Sequence, residues 1–135
     1  MPTSTKLSFS VIIPTFKEPE RLANALVSLS HLNYPPQAVE IIVVDDATPQ
    51  FSPSDFNGLT QTFPLTVMHH KTNRGRAGAR NTGIQAATGD IIVFLDSDMT
   101  VQPNFLRAHA DIHENHKEAV VIGNIRFGPE IPKTG

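Results

Sequence analysis

The sequence predicts an α/β fold: a mostly parallel sheet with helices on both faces. Three observations carry that expectation. β-type apolar runs alternate with helix-periodic stretches in the order β-α-β-β-α-β-α-β, the alternation that builds parallel sheets. Two of the runs, Ile41-Ile42-Val43-Val44 and Ile91 to Leu95, are continuously apolar, as strands covered on both faces are. The chain has 135 residues, 39% hydrophobic and 18% charged, enough for one domain that buries about two thirds of its unfolded surface.

The elements follow in order. Leu7 to Pro14 contains the β-rich run Val11-Ile12-Ile13. Pro19 to Leu32 carries Leu22, Leu26, Leu29 and Leu32 at helical spacing, and Pro35-Pro36 stops that helix. Glu40 to Asp46 is the second strand. A Pro-, Ser-, Asp- and Gly-rich loop from Ala47 to Gly58 follows, then a shorter strand from Leu65 to His69. Arg74 to Ala87 is a helix ended by Thr88-Gly89. Ile91 to Leu95 is a fourth strand, Pro103 to His116 a helix with Pro in its first turn, and Ala119 to Ile125 a last strand. Gly128 to Gly135 reads as a tail.

Composition excludes several classes of function. There is no cysteine, hence no disulfide framework, Cys-ligated zinc or thiol nucleophile. Eleven Lys and Arg against thirteen Asp and Glu give a net charge of −2, which argues against nucleic-acid binding through overall charge. The longest apolar run, Ile91 to Leu95, is far short of the ~20 residues a spanning helix needs. Met1 to Ser10 lacks the apolar stretch of a secretory signal.

In open α/β sheets, ligands bind beyond the carboxyl ends of the strands. There the sequence places Pro14-Thr15-Phe16, Asp45-Asp46 and Asp96-Ser97-Asp98, delivering four aspartates to one sheet edge. Two carboxylates ~4 Å apart repel by about 4 kcal/mol at an effective dielectric of 20. Asp96 and Asp98 must therefore splay, take up a proton or hold a cation, and hard oxygen ligands suit Mg²⁺ or Mn²⁺. The plainer reading makes them solvated turn residues, with Asp98 or Thr100 capping the next helix. Asp45 and Asp46 either satisfy nearby N–H groups of the turn or accept hydrogen bonds from a ligand.

Lys71, Arg74, Arg76 and Arg80 cluster around the start of the fifth element, and Arg76 and Arg80 share a helix face. This stretch is either an anion site at a helix N-terminus or a solvated helix start. It lacks both the Gly-x-Gly-x-x-Gly and the Gly-Lys-Ser/Thr patterns. His109, His113 and His116 lie on one face of the last helix, among Asp111, Glu114, Asn115 and Lys117, and read as a solvated polar face. His69-His70 carries no assigned role.

Several segments in this order resemble the N-terminal half of inverting family 2 glycosyltransferases of the GT-A fold. They are Ser10 to Phe16, Tyr34-Pro35, Glu40 to Asp46, Asn73 to Asn81 with Gly83, and Gly89 to Asp98, spread over residues 9 to 108. The resemblance implies a three-layer, Rossmann-like donor domain over residues 1–127, with 128–135 as the tail. It also implies a nucleoside-diphosphate sugar, an acceptor hydroxyl compound, and Mn²⁺ or Mg²⁺. Pro14, Thr15 and Phe16 resemble the edge that lines the base. Asp46 resembles the carboxylate that hydrogen-bonds the base, and Asp45 the residue supporting that loop. Arg80 and Asn81 resemble the stretch beside the donor. Asp96 resembles the ribose or metal-shell residue, and Asp98 the metal ligand bridging to the diphosphate. Glu18, Arg76 and Ser97 complete the candidate substrate-binding set.

The sequence departs from the family pattern at two places. Ala47-Thr48-Pro49 stands where Gly-Ser-Thr is common, and Lys17 where Asn is frequent. The family's general base comes from an acceptor-binding half. After Asp98 the carboxylates are Asp111, Glu114, Glu118 and Glu130, without a Glu-Asp acceptor motif. The expectation is therefore a truncated transferase whose catalytic base lies outside this chain, working in the cytoplasm or, within a longer protein, at the cytoplasmic face of a membrane. The rival is a non-catalytic nucleotide-sugar-binding module. A remote rival is a haloacid-dehalogenase-type phosphatase, whose Asp-x-Asp-x-Thr motif Asp96 to Thr100 also fits. That motif belongs on a first core strand, and here it falls near the end. A response-regulator receiver would need its Asp pair on the first strand, which here ends in Pro14-Thr15.

Overall fold

A computed structural model describes residues 7–115. Seven of the expected elements fall within it: β1 (Phe9–Thr15), α1 (Pro19–Leu29), β2 (Val39–Asp45), β3 (Leu65–His69), α2 (Gly75–Ala86), β4 (Ile91–Phe94) and α3 (Phe105–Asn115). Short 3-10 turns at Pro36–Ala38 and Pro53–Phe56 precede β2 and interrupt the β2–β3 connection. The expected strand from Ala119 to Ile125, the tail and the boundary at residue 127 lie outside the described residues.

The strands form one sheet in the order β3-β2-β1-β4, and every neighbouring pair is parallel. The register aligns their carboxyl ends. Thr15 pairs with Asp45 and Asp45 with His69, while Phe94, last in β4, stands opposite Ile12. The chain moves outward through β1, β2 and β3, then crosses to the other side of β1 to make β4. That reversal opens a crevice beyond the ends of β1 and β4, where such sheets bind ligands.

Alternation along the strands builds two cores. Val11, Ile13, Ile41 and Val43 face Leu22, Leu26 and Leu29 of α1 and Leu106 and Ala110 of α3. The leucine stripe that marks α1 in the sequence is the face it buries. On the opposite side Ile12, Ile42 and Val44 pack against Ala79 of α2. α2 lies close because of Gly83, where a Cβ would stand 2.5 Å from Ile12 Cγ2. Helices thus cover both faces, as the sequence predicts.

Two expectations change. β4 reads as a strand buried on both faces, yet Ile92 and Phe94 are 37% and 44% exposed. The cause is position: α2 packs over β1 and β2, and β4 is an edge strand among the described residues. His109 is not part of a solvated face. Leu106, His109 and Ala110 share the buried stripe of α3, and the His109 ring stands edge-on to Phe105 with centroids 4.9 Å apart. The side chain of His113, and His116 altogether, lie outside the described residues.

At the amino ends of the strands, Glu40 organises a clasp. Its Oε2 accepts hydrogen bonds from Ser10 Oγ (2.5 Å), Thr88 N (2.6 Å) and Thr88 Oγ1 (3.0 Å), and Ser10 Oγ accepts one from Gly89 N. Burial pushes this carboxyl up, but these donors outweigh burial and hold it below its ordinary value.

Candidate functional site

A cleft of about 480 Å³ opens beyond the carboxyl ends of β1 and β4. It gathers Pro14, Thr15, Phe16, Glu18, Asp46, Arg76, Asp96, Ser97 and Asp98, nine of the residues singled out in the sequence. Asn73, Gly75 and Ala79 also line it. Asp45, Arg80 and Asn81 do not.

Each strand end contributes through its backbone course. β1 supplies Thr15, whose carbonyl accepts a hydrogen bond from Asp46 N at 2.9 Å. The chain then turns through Lys17, with φ 57°, into α1, whose Pro19 suits a first helical turn. Lys17 N donates to Thr48 Oγ1 at 2.7 Å, and Thr48 Oγ1 donates to Asp45 Oδ1 at 2.6 Å. Asp45 Oδ2 accepts from Thr48 N and faces His69 Nδ1 at 2.9 Å. Asp45 is thereby turned away from the cleft into the loop.

Asp46 points the other way and is surrounded by donors. Oδ1 accepts hydrogen bonds from His70 Nδ1 and Arg74 N, and Oδ2 from Gly75 N, each at 2.8 Å. Burial raises this carboxyl, but the donors outweigh it and hold Asp46 below the usual carboxylate range. The carboxylate sits on the first N–H groups of α2, where the helix dipole favours a negative charge. Of the amides at this helix start, those of Arg74 and Gly75 are thus engaged by Asp46. Asn73 Nδ2 donates to the Asp46 carbonyl at 3.2 Å and fixes the approach of the α2 segment.

Sequence reasoning missed the histidines. His70 is buried, with Nε2 2.8 Å from Thr82 Oγ1 on α2. Thr82 Oγ1 also reaches Gly78 O at 3.1 Å, so its hydroxyl can turn to either partner. The available signal was a His-His pair ending β3 beside an Asp-Asp pair ending β2, legible only once those strands are neighbours.

The remaining carboxylates line the opposite wall. Ser97 Oγ donates to Glu18 Oε1 at 3.1 Å, linking the β4 end to the start of α1. Arg21, also missed, lies 3.3 Å from Glu18 Oε2 and 3.9 Å from Asp98 Oδ2. Arg76 Nη1 is 3.9 Å from Asp96 Oδ1. These pairs are exposed and loose, so the arginines offset the acidic charge only weakly. Asp96 and Asp98 fit a hard divalent cation by donor type. Among the described residues no cluster of three metal-ligating side chains occurs. Arg80 lies beside the cleft with its guanidinium 5.5 Å over the Phe94 ring, and its Nε is buried without a hydrogen-bond partner among the described residues. Asn81 is exposed on α2.

The phosphatase reading fails on topology. Asp96 follows β4, the fourth described strand in chain order and not the first. No described helix is long and apolar enough to cross a membrane.

The family model "Glycosyl transferase family 2" matches residues 10–133. An uncharacterized glycosyltransferase of Bacillus subtilis, YfnE, is 38% identical over 114 residues, covering 84% of this chain and 29% of that protein. The poly(ribitol-phosphate) beta-N-acetylglucosaminyltransferase TarS of Staphylococcus aureus is 30% identical, over 86% of this chain and 21% of its own length. The crystal structure of S. aureus TarS 1-349 with UDP-GlcNAc superposes with a TM-score of 0.73 at 27% identity, covering 82% of this chain and 32% of that one. A mannosyltransferase from Pyrobaculum calidifontis with GDP-Man and Mn²⁺ gives 0.69 at 29% identity, over 76% and 31%. The chain thus spans less than a third of the length of these relatives.

Proposed function

The chain belongs to glycosyl transferase family 2, and from that premise we propose that it is the donor-binding part of an inverting transferase that takes a uridine or guanosine diphosphate sugar. The observation that carries this reading is the convergence of Thr15, Asp46, Asp96 and Asp98 on one cleft at the reversal point of the sheet. UDP-GlcNAc and GDP-Man occupy solved relatives of the same fold, which supports both bases as candidates.

In this reading Pro14, Thr15 and Phe16 line the base, and the Asp46 carboxylate accepts a hydrogen bond from a base N–H. Arg76, exposed at the first turn of α2, reaches the diphosphate. Asp98, with Asp96, would hold Mn²⁺ or Mg²⁺, and the presence of Mn²⁺ with GDP-Man in the Pyrobaculum relative supports a divalent ion as part of such a site. When bound, the cation offsets charge on the departing diphosphate oxygen. The acceptor hydroxyl oxygen forms a bond to the anomeric carbon as the carbon–phosphate-oxygen bond breaks on the opposite face, inverting the centre. The hydroxyl proton passes to a carboxylate base.

Calorimetric titration of the chain with UDP and GDP, with Mn²⁺ and with EDTA, tests the proposal. One of the two should bind, only with metal, and Asp98→Asn should abolish the metal dependence. Equal binding in Mn²⁺ and EDTA would remove the metal role. Binding of neither nucleotide would remove the donor site. The rival non-catalytic module predicts the same binding but no transfer when the acceptor half of a close relative is appended.

A further inference from the structure

His70 does not line the cleft, yet it is buried at 6% exposure against the carboxylate that does. Its imidazole joins three elements. Nδ1 meets Asp46 Oδ1 beyond β2, Nε2 meets Thr82 on α2, and its backbone N donates to Asp45 O at 2.8 Å. Resting on the reading of Asp46 as the base-reading carboxylate, we propose that His70 is the positioning residue that fixes the rotation of that carboxylate.

The geometry gives the reason. Two of the three donors to Asp46 are backbone N–H groups of consecutive residues, Arg74 and Gly75. The third, His70, approaches Oδ1 from the β3 side and is itself held by Thr82. An ionised carboxylate accepts up to about four hydrogen bonds. Oδ1 takes two here and Oδ2 one among the described residues, so Oδ2 keeps acceptor capacity. Without the imidazole, Oδ1 loses its donor on the β3 side and the carboxylate is held by the two amides of the α2 start alone, so it tilts toward them and a base N–H meets it out of line. The diphosphate end of the donor, across the cleft at Asp96 and Asp98, feels no such change.

The test separates base from phosphate. The full chain with Mn²⁺ is titrated with UDP, GDP and inorganic pyrophosphate, as wild type and as His70→Gln, His70→Asn, Asp46→Ala and Asp46→Ala/His70→Gln. His70→Gln, whose amide reaches toward the Nε2 position, should weaken the bound nucleotide about tenfold, the size of one well-placed hydrogen bond. Pyrophosphate affinity should stay within about twofold. His70→Asn, whose amide nitrogen can stand near the Nδ1 position, should recover most of the loss. In the Asp46→Ala background, His70→Gln should add nothing. Should His70→Gln fail to fold, Thr82→Ala, which loosens the imidazole and leaves Asp46 its donors, should show a smaller loss with the same selectivity for nucleotide. Equal losses for nucleotide and pyrophosphate, an unchanged nucleotide affinity, or an effect that persists without Asp46 would each overturn the positioning role. If Asp46→Ala leaves nucleotide affinity unchanged, the base-reading assignment itself fails and His70 has nothing to position.

Discussion

Thr48 and Asp45 are joined twice: Thr48 N donates to Asp45 Oδ2 at 2.8 Å and Thr48 Oγ1 to Asp45 Oδ1 at 2.6 Å. The same hydroxyl accepts from Lys17 N, so one threonine ties the loops after β1 and β2 together. Both loops border the cleft. Thr48→Val should therefore cost about 1–3 kcal/mol, because it leaves a buried carboxylate oxygen and an amide without partners. Thr48→Ser should retain most of the stability. Urea unfolding of the two variants checks this, and equal losses in both would show that the methyl group matters more than the hydroxyl.

The two places where the sequence departs from the family pattern are both left-handed. Lys17 has φ 57° and Ala47 φ 73°. A residue with a Cβ costs about 1–2 kcal/mol there, less for Asn and none for Gly. Gly also frees the unfolded chain, which offsets part of the gain. Lys17→Asn and Ala47→Gly are each expected to stabilise by about 0.5 kcal/mol. Ala47→Val should destabilise by more than about 1 kcal/mol, since a β-branched side chain is excluded from this region. Denaturant midpoints decide the matter, and a stable Ala47→Val variant would mean that the loop adopts another conformation.

Glu40 and Asp46 are both held below their ordinary values, Glu40 at the amino ends of the strands and Asp46 at the carboxyl ends. A carboxyl that titrates lower in the folded chain binds its proton more readily when unfolded. Its contribution is complete above the unfolded value and is lost as pH falls through the folded one. Stability should thus be level from about pH 7 to about pH 5 with respect to these groups, and fall below about pH 4. Glu40→Gln and Asp46→Asn should each make that acid limb shallower in urea titrations. An unchanged limb in both would place the acid sensitivity elsewhere.

Arg21 stands between Glu18 and Asp98 and competes for the same carboxylate as a cation would. The contact is exposed and long, so the effect is small and screened by salt. Arg21→Ala should raise affinity for Mn²⁺ alone about two- to threefold at low ionic strength, and not at high. Paramagnetic titration of Mn²⁺ measures this in the absence of nucleotide. Unchanged affinity at low salt would show that Arg21 does not guard Asp98.

Much of the fold and of the cleft is legible in the residues themselves. The continuous β-branched run Ile41 to Val44 suits a strand covered on both faces, and the leucines of α1 recur at the spacing of a one-faced helix. Asp46, Asp96 and Asp98 follow apolar runs at turns, where polar side chains reach a sheet edge. Gly83 looks like any helix-weakening glycine until Ile12 stands 2.5 Å from its missing Cβ. His109 reads as solvent-facing because Asp111, Glu114, Asn115 and Lys117 follow it, but Leu106, one turn before it, and the adjoining Ala110 are buried with it.

By itself the sequence determined the α/β alternation, the identity of the carboxylates and the strand ends that carry them, because hydrophobic period and turn chemistry are local. The family resemblance singles out Asp46 over Asp45, but only the tertiary structure supplies the physical reason that Asp46 is the one facing the cleft. Asp45 and Asp46 are adjacent and chemically identical. The pleat and the turn send one to Thr48 and His69, and the other to His70 and the first amides of α2. His70 and Arg21 acquire their places the same way, from strand order and helix packing that bring distant residues within hydrogen-bond reach.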